Sequence, residues 1–171
     1  LRPANLPAAA QGHGWAVYDA AGIRILVMNL LGTVFMEPLA SPFETADAIL
    51  EKCRGGYDVA LVDFHAEATS EKLALARYLT GRVSAVWGTH THVATADCRI
   101  LGGHTGFITD LGMVGSADGI LGVKSEAVLH KFLVKTPVRF ETEHGNEGAT
   151  GALFTVDSGS GKCISAESVS F

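Results

Sequence analysis

The sequence predicts an α/β fold, and three observations carry that reading. Two apolar runs, Val59-Ala-Leu-Val-Asp-Phe-His65 and Val83-Ser-Ala-Val-Trp-Gly-Thr-His90-Thr-His92, each end on histidine. The segment between them has helical spacing, as a β-α-β unit requires. With 47% apolar and 18% charged residues in 171, the chain suits one globular domain, residues 1–171, with a core of its own.

Taken in order, Gly14 to Asp19 and Gly22 to Asn29 are β-rich runs, and Ala20-Ala-Gly22 joins them as a hairpin. Leu39 to Pro42 reads as loop. Phe43 to Cys53 then carries helix formers, with Ser41 as N-cap, Pro42 in the first helical position and Gly55-Gly56 as the stop. Tyr57 to Asp63 is a continuous apolar strand of the kind covered on both faces. Thr69 or Ser70 starts a second helix, with Glu71 in its first turn and Gly81 at its end. Val83 to Trp87 is a second buried strand, and Cys98 to Asp110 holds two short strands broken by Gly102-Gly103. Gly112 to Gly122 reads as loop, and Ser125 caps a helix that ends near Val134. Val138 to Thr142, Ala149 to Asp157 and Cys163 to Phe171 close the chain as β-rich segments.

Several functions are disfavoured. A net charge of −5 without a basic cluster argues against nucleic-acid binding through phosphate neutralisation. Nothing in the sequence favours RNA ends as a partner. The three cysteines, Cys53, Cys98 and Cys163, are widely spaced and suit a reducing compartment better than a disulfide framework. No stretch approaches the ~20 apolar residues of a membrane span, and the N-terminus has no apolar signal core. Cytoplasm is the expected location. The serines sit in no nucleophile elbow, and no P-loop is present. Gly102-Gly-His-Thr-Gly106 is a weak candidate for an anion cradle.

The histidines are the chemical signal. Parallel β-α-β geometry brings His65 and His90 to one sheet edge, where ligands usually bind. If the backbone is extended, His90 and His92 point to the same face. Imidazole is the commonest metal-binding side chain, so His65, His90 and His92 are the candidate metal ligands. Asp63 and Asp110, near strand ends, are candidates to orient a ligand histidine, with Asp63 the better placed. Glu67 has a weaker claim. His13, His104, His130 and His144 show no such relation.

Val62-Asp-Phe-His-Ala-Glu-Ala-Thr-Ser-Glu-Lys72 and Gly88-Thr-His-Thr-His-Val-Ala-Thr-Ala-Asp97 resemble signatures of the YmdB-like family of calcineurin-type metallophosphoesterases. Arg2-Pro-Ala-Asn5, Ile108-Thr-Asp-Leu-Gly-Met113 and Pro137-Val-Arg-Phe140 match it in the same order, so the resemblance covers nearly the whole chain. It implies a bacterial cytoplasmic phosphodiesterase acting on small phosphodiesters such as 2′,3′-cyclic nucleotides, built as a four-layer α-β-β-α sandwich. It also implies two divalent metal ions, iron or manganese with zinc as an alternative, that hold a hydroxide for attack on phosphorus. His65 and His90 would serve one metal and His92 the other.

The resemblance begins only at Arg2-Pro-Ala-Asn5. Family members carry an Asp ligand, a Glu-Asn pair and an Asn-His pair before that segment, and none has a counterpart here. The expectation is therefore a C-terminal part, with the first strands missing and no catalytic residue of its own. Three neutral imidazoles cannot supply the carboxylate that holds two cations close together. Weak activity or none, no membrane partner, and self-association through uncovered sheet edges are expected of the isolated chain. Two other readings stay open: a non-catalytic short protein binding one metal through three histidines, and a mononuclear zinc hydrolase with Asp63 or Glu67 as general base.

Overall fold

The computed structural model describes residues 1–171. The chain runs β1 (Trp15–Ala20), β2 (Ile23–Leu31), α1 (Pro42–Lys52), β3 (Val59–His65), α2 (Thr69–Leu79), β4 (Ala85–Thr89), β5 (Arg99–Leu101), β6 (Thr105–Ile108), β7 (Val114–Ser116), α3 (Ser125–Val134), β8 (Glu147–Asp157) and β9 (Lys162–Ser170). Six strands form one mixed sheet in the order β1-β2-β3-β4-β6-β5, and β7-β8-β9 form a second, antiparallel sheet. The architecture is mixed α/β, as the sequence predicts.

The hairpin β1–β2 forms in the expected place, with Trp15 opposite Met28. Strands β2, β3, β4 and β6 then run parallel, Asn29 opposite Asp63 and His65 opposite Thr89. On one face Leu26, Met28, Leu30, Val62, Phe64 and Val86 are buried. Helix α1 buries Pro42, Ala46, Ile49 and Leu50 at helical spacing, and α2 buries Leu75, Ala76 and Leu79. Apart from Pro42, these side chains form one continuous cluster with Phe107 from β6. Ser41 caps α1 by accepting the Glu44 N–H, with Pro42 first in the helix.

The second sheet lies against the opposite face of β5 and β6. Contact is close because Gly106 has no side chain: a Cβ there would stand 2.5 Å from Phe154 and 2.8 Å from the Cys163 sulfur. All three cysteines are free, with Cys53 and Cys163 buried and Cys98 half-buried. No helix is long and apolar enough to cross a membrane.

Several local expectations are corrected. Helix α2 starts at Thr69 as expected, behind an N-cap, Ala68, that has no side-chain bond to give, but the start of α3 differs. Lys124 occupies the N-cap of α3, and the Ser125 hydroxyl lies 3.5 Å from the Asp118 carbonyl instead of capping. Both helices keep an acidic residue in the first turn, Glu71 and Glu126, which favours the positive end of the helix dipole. Strands β3 and β4 each lie two residues later than read from the apolar runs, because parallel pairing extends them to His65 and Thr89. The glycine-rich stretch after Gly112 contains the short β7, paired with β8. Val138 to Thr142 forms no strand. Thr142 makes one bridge to Val123, and Pro137 removes a ladder donor just ahead of it.

Candidate metal centre

His65 is the last residue of β3, and its register partner Thr89 directly precedes His90. The two imidazoles therefore meet at the carboxyl edge of the sheet. His90 Nδ1 lies 3.0 Å from His65 Nε2, with the rings nearly perpendicular at 86°. Two ring nitrogens aimed at one spot must share a proton there, or a cation can take its place. The far nitrogen of each ring is also engaged. His65 Nδ1 is 3.0 Å from the Thr89 hydroxyl, and His90 Nε2 is 2.9 Å from the Glu67 carboxylate. Burial, and then the neighbouring His90, hold the His65 pKa below its ordinary value, which leaves a neutral ring with a lone pair to give.

His92 lines the same cavity, of about 380 Å³, together with His65, Thr89, His90, Met113 and Leu121. It does not reach the His65–His90 contact. Its Nδ1 lies 3.4 Å from the Leu121 carbonyl. The extended backbone expected between His90 and His92 is not formed: φ is +116° at His90 and +62° at His92. The chain leaves the strand at Thr89 and turns sharply, so the two rings reach one cavity by a bend and not by strand alternation.

No three His, Cys, Asp or Glu side chains converge on one point. The donor set thus fits a metal in part: two imidazoles at one position, Glu67 behind one of them, and a third imidazole across the cavity. That is too few ligands for two cations and suits one weakly held ion.

Asp63 does not hydrogen-bond to His65. Its Oδ2 accepts from the Asn29 amide at 2.7 Å, because the parallel register sets those residues side by side. Its Oδ1 is buried without a partner. Burial raises its pKa above the ordinary carboxylate range, against the opposing effects of Asn29 and the nearby His65. Asp110 is fully buried and grips the histidine segment directly, accepting from the Thr91 N–H at 3.0 Å, the Gly112 N–H at 2.9 Å and Lys72 Nζ at 2.8 Å. Lys72 and Thr89 stand inside the two family-like motifs, but nothing in their residue types signals these contacts. A lysine in the first turn of a helix reads as a solvated surface residue. His130 and His144 are exposed and distant in role, and His104 Nδ1 is buried without a partner.

Comparison with known proteins identifies the family. The family model described as "YmdB-like protein" matches residues 1–169, and the chain belongs to that family. It is 44% identical over 169 residues to the 2′,3′-cyclic-nucleotide 2′-phosphodiesterase of Bacillus subtilis (strain 168), covering 99% of this chain and 64% of that protein. A crystal structure of a hypothetical protein from Thermus thermophilus superposes with a TM-score of 0.94 at 37% identity, over all of this chain and 66% of that one. One described as a novel phosphatase from Mycoplasma pneumoniae gives 0.92 at 34% identity, over all of this chain and 63% of the other. The chain thus spans about two thirds of the length of these relatives.

Proposed function

We propose that this chain is the histidine-bearing part of a metal-dependent phosphoesterase that hydrolyses small phosphodiesters such as 2′,3′-cyclic nucleotides. The observation that carries the reading is the convergence of His65 Nε2 and His90 Nδ1 at 3.0 Å, with His92 on the same cavity. The 44% identity to a cyclic-nucleotide phosphodiesterase supports the substrate class.

In this reading His65 and His90 hold one divalent cation, and His92 contributes to a second. Iron or manganese is the expected metal, with zinc as an alternative. When bound, such cations acidify water and offset charge on phosphoryl oxygens. The chain's own residues orient the imidazoles. Thr89 fixes the His65 ring through Nδ1, and Glu67 holds the outer nitrogen of His90. Asp63 adds negative charge near His65 without touching it.

Three imidazoles and Glu67 cannot hold two cations, so the remaining ligands come from outside these 171 residues, completing a four-layer α-β-β-α domain of which residues 1–171 form the C-terminal part. The isolated chain is then weakly active or inactive and prone to self-association. Co-expression with the upstream third of a full-length relative tests this. Restored turnover of a 2′,3′-cyclic nucleotide with manganese, absent from either part alone, is the expected result. Full activity of the 171-residue chain alone would overturn the division.

A further inference from the structure

We propose that the buried Lys72–Asp110 ion pair is a positioning device that locks the His90-Thr91-His92 turn, in which both histidines stand at positive φ. The proposal rests on the reading of that segment as metal-holding.

Lys72 is 1% exposed and Asp110 is fully buried, and their charged atoms are 2.8 Å apart. The lysine stem passes beneath Gly88, where a Cβ would come within 2.8 Å of it. Its ammonium then meets Asp110 Oδ2, the same oxygen that accepts the Thr91 N–H. Thr91 is the one residue between two histidines at positive φ, a backbone that non-glycine residues rarely adopt. Such strain persists only where the surroundings over-determine it, and it gathers at functional sites.

The surroundings here do over-determine it. Asp110 Oδ1 accepts the Gly112 N–H, the Asp110 carbonyl accepts from Thr95, and the Thr95 hydroxyl accepts the Asp110 N–H. The far end of the segment is tied by Asp97, which accepts from the Thr95 hydroxyl and from both the N–H and the hydroxyl of Thr109. Burial alone would raise the Asp110 pKa, but the bonds from Lys72, Gly112 and Thr91 outweigh it, so the carboxylate stays charged.

A role in stability alone is the competing account. It is disfavoured because a buried ion pair is seldom a net stabiliser: replacing both partners with apolar residues of similar volume is often neutral or stabilising. What an apolar pair cannot do is accept the Thr91 N–H.

The test is the double variant Lys72→Met/Asp110→Leu in the 171-residue chain, with Asp110→Asn beside it. The readouts are urea denaturation, Thr91 amide exchange, imidazole nitrogen shifts of the seven histidines, and manganese titration. The expected result is a folded double variant in which Thr91 exchanges at least tenfold faster, His90 and His92 shift, and His130 and His144 do not. Manganese affinity falls at least tenfold. A folded variant with unchanged Thr91 exchange and unchanged histidine shifts would overturn the proposal. If neither variant folds, the wild-type chain decides. Thr91 exchange slowed about a hundredfold against a free peptide supports the lock, and exchange at the free-peptide rate refutes it. A wild-type chain that binds no manganese would count against the metal reading alone, since the exchange and imidazole readouts need no metal.

Discussion

The Glu71 carboxylate receives the Thr33 N–H at 2.9 Å, the Thr33 hydroxyl at 3.2 Å and the Val34 N–H at 3.3 Å. A side chain from the first turn of α2 thereby ties down the loop that leaves β2, beside the point where the Gly32 N–H donates to the His65 carbonyl. Glu71 is 7% exposed, so removing it leaves those donors poorly solvated. Glu71→Ala is expected to destabilise the fold by about 2–4 kcal/mol, measured as a shift in the urea midpoint at unchanged slope. Glu71→Gln, which keeps an acceptor, should cost less than half of that.

The His65–His90 contact predicts a shared dependence. His90→Ala removes one of two converging donors, so the weak manganese binding measured by equilibrium titration should fall to background. His130→Ala, on the exposed side of α3, should leave it unchanged. Equal loss in both variants would show that uptake is non-specific.

Gly88 has no room for a side chain. A Cβ there would stand 1.8 Å from the Thr109 carbonyl oxygen. The obstacle is backbone one residue past the end of β6, so it cannot relax by a rotamer change. Gly88→Ala is expected to cost more than about 3 kcal/mol, beyond ordinary overpacking, with loss of soluble folded protein and a collapsed thermal transition as the readout.

At the other end of the sheet, Asp58 is paired with Arg24 at 2.6 Å, and bonds from Arg24 lower its pKa to about 2. The folded pKa is depressed below the unfolded value, so the pair stabilises above the ordinary carboxylate range. That contribution is lost as pH falls from about 4 through about 2. The wild type should lose stability over this window, and Asp58→Asn should show a flatter profile there. Parallel urea curves at about pH 5 and about pH 2.5 measure the difference.

Exposed apolar residues on α3 should be cheap to change. Leu133 is 80% exposed and Phe132 65%, so Leu133→Ser and Phe132→Ser should alter stability by no more than about 0.5 kcal/mol. Their effect belongs to association. Light scattering after size exclusion should show less self-association in the double variant than in the wild type.

How much of this was legible beforehand depends on the range of the interactions. The β-α-β unit was readable because Val59 to His65 and the strand before His90 are apolar runs with turn signals at both ends. Ser41 was readable as a cap because capping chemistry is local. The two-residue displacement of β3 and β4 was not, because register is set by the neighbouring strand and not by the run itself. The misassigned cap at Ser125 has a related cause: a serine beside a helix start fits equally well one position outside it or inside it. Val138 to Thr142 reads as β by propensity, yet its pairing stops at the single bridge from Thr142 to Val123. Within the site, the histidines announced themselves by type and spacing. Lys72 and Asp110 are 38 residues apart, and only the pairing of β4 with β6 reveals that they meet.

That pairing has a consequence for the order of assembly. The histidines occupy positions 65 to 92, but the carboxylate that arrests their backbone lies at 110, just beyond β6. During synthesis the three imidazoles leave the ribosome before the group that fixes two of them. Until β6 docks beside β4, the segment has no reason to adopt positive φ, and the nascent chain presents only mobile histidines. Completion of the sheet and fixing of the His90-Thr91-His92 turn are then one event.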